Sequence, residues 1–403
     1  MGEWKEYKLG DVVDVINGYA FKSSNFIDSP ETDALPVIKI KNVANGDVHL
    51  NDVQYHAYDS SLKKFVIEKG DILIALTGNH PEVMTQVVGE VSLYKLNEKA
   101  LLNQRVAKIQ AKEGLSENYL YYFLKNDATH DVIASNSGGS ANQANISKTD
   151  IENLKLLLPS YIEQTSIASV LSCLDDKIDL LQRQNKTLEQ LAEALFRQWF
   201  VEEADKSWKV EELANVFDIG IGRTPPRKEH EWFSENINDI KWVSIKDMGG
   251  NGIYIDTTSE YLTEEAVKKF NIPVIPSNTI LLSFKMTIGR LGITTEKMLS
   301  NEAIAHFKEK SNSSLFPEYL YLFLKTYNWE QLGSTSSIVE AINSQMIKNM
   351  QMPIPDEAIL SKFRRTIQPY FQKIKANSKQ ISNLSKLRDT LLPKLMSGEV
   401  KVI

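Results

Sequence analysis

The chain contains its own sequence twice, and that repeat limits the architectures open to it more than any other feature. WKEYKLGDVVDVINGYAFK, from Trp4 to Lys22, returns as WKVEELANVFDIGIGRTPPRK from Trp208 to Lys228; Trp4, Leu9, Asp14 and Gly18 recur as Trp208, Leu213, Asp218 and Gly222, each 204 positions later. IKIKNVANGDVHL (38–50) then matches VSIKDMGGNGIYI (243–255), and VIEKGDILIAL (66–76) matches VIPSNTILLSF (274–284). NQRVAKIQ (103–110) matches NEAIAHFK (301–308), YLYYFLK (119–125) matches YLYLFLK (319–325), and ISKTDIENLKLLLP (146–159) matches INSQMIKNMQMPIP (342–355). The order never breaks while the offset drifts between 196 and 208, so insertions fall in loops. Strand-like runs such as DILIAL and TILLSF sit between Gly, Asn and Pro turns, and one amphipathic helix is clear near YLYYFLK and its copy. Each copy therefore reads as an α+β domain.

Each copy is followed by a heptad stripe. Leu171, Leu174, Ile178, Leu181, Asn185, Leu188, Ala192, Leu195 and Trp199 step by three and four, as do Ile367, Tyr370, Ile374, Asn377, Ile381, Leu384, Arg388, Leu391 and Leu395. Helices of roughly 40 residues and roughly 60 Å are implied. Two such stripes in one chain bury each other most simply as an antiparallel coiled coil with a pseudo-twofold axis. Asn185 and Asn377 put a polar residue into each seam and would fix its register. The expected order is domain 1–158, spacer helix 159–204, domain 205–355, spacer helix 356–403. Leu195, Phe196, Trp199 and Phe200 close the first helix and Leu391, Leu392, Leu395 and Met396 the second. They exceed what one seam can bury, and are read as a partner-docking surface.

A length of 403 residues suits two to three domains. The single cysteine, Cys173, excludes disulfides and zinc clusters and is read as a small buried residue beside the seam. No apolar run approaches a membrane span, and MGEWKEYKLGD lacks an apolar signal core, so the cytoplasm is the expected compartment. No phosphate loop, dinucleotide-binding glycine pattern, base-flipping methyltransferase motif or histidine pairing suited to a metal is present, and the chain is expected to catalyse nothing and hold no metal or cofactor.

Binding features remain. GRTPPRKEHEW (222–232) offers Arg223, Thr224, Arg227 and Lys228 in a Pro-stiffened loop, and arginine forks suit guanine edges and phosphates. The matched loop of the first copy offers Tyr19 and Lys22. Lys41 and Lys246, Asn79, His80 and Gln86, Arg105, the Gly/Ser/Asn-rich stretch with Ser140, Asn142 and Gln143, its counterpart with Ser336, and Lys285 with Arg290 complete the candidate DNA contacts. The loops diverge where the scaffolds agree, as two readers of different sequences would. The net charge of −6 stands against a nucleic-acid partner, unless other chains neutralise much of the phosphate.

The block order, with LSCLDDKIDLLQRQNKTLEQLAEALFRQWFVE (171–202), GRTPPRKEHEWF followed by IKWVSIKDM (222–248), NQRVAKIQ and the closing LRDTLLPKLMSGEV (387–400), resembles the specificity subunit of type I restriction–modification enzymes across essentially the whole chain. The resemblance implies two target-recognition domains on double-stranded DNA, one per half of a split site, with the paired helices as spacer. It also implies two methyltransferase subunits docked on the helices and ATP-driven restriction subunits joining them. S-adenosylmethionine, ATP and magnesium would belong to those partners. The specificity chain of a related system with fused methyltransferase and nuclease, and a coiled-coil scaffold that binds no DNA, are the alternatives.

Overall fold

The computed structural model describes residues 4–29, 33–44, 47–79, 88–140, 143–250, 252–310, 315–329 and 342–402. They form two compact units: Met1–Asp176 with Ser385–Ile403, and Lys177–Leu384. Each contains one copy of the repeat and one end of each long helix, so the helices do not form a unit of their own.

The central sheets follow one plan. In the first unit the order is Val13–Asn17, Val106–Ala111, Ile72–Ala75, Val91–Leu93, Asp47–Val48 and Val43–Ala44. In the second it is Phe217–Ile221, Ile304–Glu309, Ile280–Ser283, Leu291–Thr294 and Tyr254–Ile255, the equivalent strands in the same order. The parallel pairing of Val91–Leu93 with Asp47–Val48 recurs between Leu291–Thr294 and Tyr254–Ile255. A smaller sheet in each unit repeats as well, with Ala34–Ile38 parallel to Ala100–Leu102 and Ile240–Val243 parallel to Leu299–Ser300.

The middle strand of each central sheet is buried throughout and almost wholly apolar, because both its faces are covered. Ile72 and Ile74 enter one core with Tyr119 and Leu120, while Leu73 enters another with Ile38 and Leu102. Ile280 and Leu282 divide from Leu281 in the same way. The helices α1 (Glu117–Lys125) and α3 (Pro317–Thr326) supply the first of these cores in their respective units.

The long helices are α2 (Tyr161–Arg197) and α4 (Glu357–Met396). Ser160 begins α2, its hydroxyl accepting from the Glu163 amide at 3.3 Å. Buried Gln164 fixes that end to the domain: its carbonyl accepts from the Ser116 amide, and its amide donates to the Gly114 and Pro159 carbonyls. A single π turn, Gln198–Glu202, closes α2, and Gly398 at φ +76° stops the chain after α4.

The predicted stripes are the sides that turn inward. Leu171, Ile178, Leu181, Asn185 and Ala192 are buried on α2, and Ile367, Ile374, Asn377 and Leu395 on α4. In the second unit the Asn377 amide donates to Asn185 Oδ1 at 2.9 Å, so each seam asparagine finds the other. In the first unit α2 and α4 meet through charge: Arg388 Nη1 donates to Asp175 Oδ1 at 2.7 Å, while Asp175 Oδ2 accepts from Tyr122 at 2.9 Å and lies 3.5 Å from Lys125. The second unit holds α2 to its domain similarly, with Glu189 Oε1 accepting from Tyr321 at 2.7 Å and from Lys325 at 2.9 Å.

Two expectations are corrected. Phe196, Phe200, Leu392 and Leu395 are not available to a partner, being buried in the cores of their own units with Met396. Phe200 stands edge-on to Phe363 of α4 at 4.7 Å and to Tyr319 of α3 at 5.0 Å. Leu195, Trp199 and Leu391 are half-buried against the same cores. Cys173 is exposed, because it lies between the seam positions 171 and 174, on the side of α2 turned away from the stripe.

Candidate nucleic-acid interface

The diverged loops converge at one edge of each unit because the same four backbone hydrogen bonds hold them there. In the first unit Gly18 donates to Val106, Tyr19 to Leu102, Asn103 to Ile38 and Leu76 to Arg105. In the second Gly222 donates to Ile304, Arg223 to Ser300, Asn301 to Val243 and Phe284 to Ala303. The approach demands glycine: a Cβ at Gly18 would stand 2.1 Å from the Asn103 carbonyl oxygen, and one at Gly222 2.1 Å from that of Ser300. Tyr19 and Arg223 therefore occupy one frame with unlike side chains.

In the first unit this edge is aromatic. Tyr19, 43% exposed, packs on Phe21 at 4.9 Å and Phe65 at 5.2 Å, and Phe21 continues to Phe26 and His56. Lys22, Lys41 and Arg105 are exposed. Burial and the neighbouring Lys41 charge lower the pKa of Lys39, which lies over the Phe26 ring. Gly138–Ser140 pairs with Gln143–Asn145, Ser140 opposite Gln143, and Ala144 and Asn145 pair with Gly78 and Thr77, one residue before Asn79. His80, Gln86 and Asn142 lie outside the described residues.

In the second unit the three candidate arginines are engaged within the protein. Arg223 Nη1 donates to the Phe270 carbonyl at 3.1 Å and Arg290 Nη1 to that of Ile245 at 2.8 Å. Both terminal nitrogens of Arg227 meet Glu260, and its guanidinium stacks over Phe233 at 4.4 Å and Trp242 at 4.7 Å. Reading a base with that fork would require breaking the pair, so Arg227 as placed shapes the loop. Lys228, Lys246 and Lys285 are exposed, while Ser336 lies outside the described residues.

Glu302, absent from the sequence-based candidates, ties the edge together. Its carboxylate accepts from Thr224. Burial pushes its pKa up, but the Thr224 hydroxyl, its own backbone and the charges of Lys285 and Arg227 hold it below the usual carboxylate range. The loops at 222–228, 283–290 and 300–303 thus share one electrostatic neighbourhood. The only sequence signal was its place in NEAIAHFK, where the first copy has Gln104.

Among the described residues no group of three or more His, Cys, Asp or Glu could hold a metal ion, and no helix is long and apolar enough to cross a membrane. The arrangement offers two solvent-facing edges of hydrogen-bonding, cationic and aromatic side chains on a common frame.

The type I restriction modification DNA specificity domain model matches residues 1–190 and again 205–385, once per copy of the repeat. Among curated proteins, the chain is similar to the type I restriction enzyme MjaIX specificity subunit of Methanocaldococcus jannaschii, 27% identical over 99% of this chain and 94% of that protein. It is also similar to the type I restriction enzyme HindI specificity subunit of Haemophilus influenzae, 25% identical over 99% of this chain and all of that one. Among solved structures, the fold resembles the type I restriction–modification system S subunit of M. genitalium, with a TM-score of 0.56 at 18% identity over 98% of this chain and 96% of that one.

Proposed function

Because the chain belongs to the family of type I restriction–modification DNA specificity subunits, we propose that its two units each read one half of a split double-stranded DNA site through the loop edges described above. The observation that carries this reading is the pair of edges: four equivalent backbone hydrogen bonds present unlike side chains at equivalent positions. A common frame with different readers suits two half-sites of different sequence.

We further propose that α2 and α4 pair antiparallel along their length, related by a pseudo-twofold axis, and set the unread gap between the half-sites. The heptad stripes, the Asn185–Asn377 bond and the Arg388–Asp175 pair support this. In this reading the chain is a non-catalytic cytoplasmic subunit. Two methyltransferase subunits dock on the helical region and restriction subunits join them, carrying S-adenosylmethionine, ATP and magnesium with them. With Phe196, Phe200, Leu392 and Leu395 buried, the docking surface is formed by the outward sides of the helices, where Leu180, Leu191 and Leu387 are each more than 40% exposed.

Mapping adenine methylation by single-molecule sequencing, in cells with and without this gene but with the partner subunits expressed, tests the recognition role. A two-part motif with a fixed gap, lost on deletion, is expected; an unchanged methylome contradicts it. Inserting one heptad into both helices should lengthen the spacer by about 10 Å, roughly three base pairs at about 3.4 Å each. A preferred gap left unchanged by that insertion would sink the spacer role.

A further inference from the structure

The hairpin SFKMTIGR, 283–290, sits on the candidate edge of the second unit and its tip is Met286. Five non-glycine residues have positive φ among the described residues: Asp33, Asp52, Asn271, Asn278 and Met286. The first four carry the short polar side chains that tolerate the left-handed region. Met286, at φ +60°, does not, and the residue is 96% exposed. An apolar side chain in an unfavourable backbone conformation, with almost all of its surface in water, contributes little to the fold that holds it.

The tip is nonetheless firmly held. The Ser283 hydroxyl donates to the Thr287 carbonyl at 2.6 Å, the Gly289 amide to Ser283 at 3.0 Å and the Thr287 amide to Lys285 at 2.7 Å. Arg290 braces the base of the hairpin against the Ile245 carbonyl. Gly289 approaches the Trp329 indole so closely that a Cβ would stand 3.0 Å from Nε1. Ile288, 45% exposed, adds a second apolar group, and Lys285 brings a cation beside them.

We propose that Met286 is a base-reading residue of the second unit, contacting the C5-methyl group of a thymine in the major groove of its half-site. This rests on the DNA-reading role proposed above. The turn 284–289 projects beyond the paired strands Ile280–Ser283 and Leu291–Thr294 and carries two chain segments side by side, a width that suits the roughly 12 Å major groove better than the roughly 6 Å minor groove. A thioether is a poor hydrogen-bonding partner, so it reads apolar surface, and thymine is the standard base that presents a methyl group there. The neighbouring Lys285 supplies the cation that draws the tip to the phosphates on either side of the groove.

The test uses the chain assembled with its methyltransferase partners and a duplex carrying its own motif. Each thymine of the second half-site is replaced in turn by deoxyuridine, and affinities are compared for wild type and Met286→Gly, which keeps the turn and removes the side chain. One replacement should weaken wild-type binding about fourfold, the worth of one buried methyl, and have no effect on Met286→Gly. Replacements in the first half-site should affect both proteins equally, and the melting temperature of the free variant should match or exceed that of wild type. A second half-site without a T·A pair, or a variant that keeps the wild-type response, would overturn the assignment of Met286. A wild-type complex without any sequence preference would instead overturn the reading on which it rests.

Discussion

Phe363→Ala should destabilise the second unit by about 3–5 kcal/mol, the range for deleting a buried phenylalanine ring. Phe363 is fully buried on α4 and joins three elements. Its ring lies 4.7 Å from Phe200 and 5.5 Å from Trp199 at the end of α2, and 6.5 Å from Phe316 at the start of α3. Phe200 and Trp199 are among the helix-end residues read from the sequence as a partner-docking surface, and the variant asks whether they are the fold's own glue. For a unit of about 200 residues the loss corresponds to a fall in melting temperature on the order of 10 °C. Calorimetry of the free chain reads it, with Lys373→Ala, an exposed position on the same helix, as the reference expected to move less than about 0.5 kcal/mol. A change at Phe363 no larger than that reference would mean the aromatics do not hold the helices to the domain.

Arg388→Ala should cost the first unit about 3 kcal/mol, the lower end for breaking a largely buried ion pair. Arg388 and Asp175 keep only 20% and 16% of their side-chain surface in water. Burial alone would raise the Asp175 pKa, but the Lys125 charge and the bonds from Arg388 and Tyr122 more than offset it and hold the carboxyl below its ordinary value. Lys125 ends below its own usual value, since burial outweighs its share of a carboxylate that also serves Arg388. A carboxyl with a depressed folded pKa adds stability above the unfolded value of about 4. That contribution is lost as pH falls through the folded value. Acid titration of the wild type should therefore show the first unit weakening below about pH 4, and Asp175→Asn should flatten that part of the profile. Combining Arg388→Met with Asp175→Asn should cost less than the sum of the two single changes, because neither charge is then left alone. Strict additivity would mean the pair does not couple.

The repeat was legible because it resides in patterns that short-range physics enforces: buried middle strands, an amphipathic helix, a heptad stripe. Ile72–Ala75 and Ile280–Ser283 could be read from their apolar runs, and the stripe predicted which sides of α2 and α4 turn inward, down to the two asparagines. The side chains at the loop edges were not legible. Arg223 and Arg290 bind backbone carbonyls of Phe270 and Ile245, each about 45 residues away in the chain, and carbonyls have no letter in a sequence. Arg227 looked free because its partner, Glu260, is 33 residues distant and nothing local in the sequence joins the two. Phe196 and Phe200 looked exposed because their ring partners Tyr319 and Phe363 lie outside the heptad stripes. The strain at Met286 had no signal at all, because the residue that usually occupies a left-handed turn position is glycine.

The buried polar layer diverged in step beneath the common frame. Lys108 reaches Asp71 and the Val66 carbonyl in the first unit. The matched positions in the second are His306 and Thr279, and burial pushes the His306 imidazole down to about 4, leaving it neutral. His306 needs the space over Gly220, where a Cβ would stand 2.1 Å from its Nε2, whereas the strand position opposite Lys108 is Ile16. The two halves have therefore drifted by compensated exchanges inside as well as by loop changes outside.

The composition of the first unit has a consequence for how the protein is made. Its core needs Leu392, Leu395 and Met396, and Trp4 packs beside Gly398. A ribosome that has delivered residues 1–176 has therefore delivered a domain still missing one wall, whereas every residue of the second unit has been synthesised once Leu384 is added. The half of the protein that is translated first is the half that closes last, and a chain stopped before Leu392 would fail at its N-terminal domain.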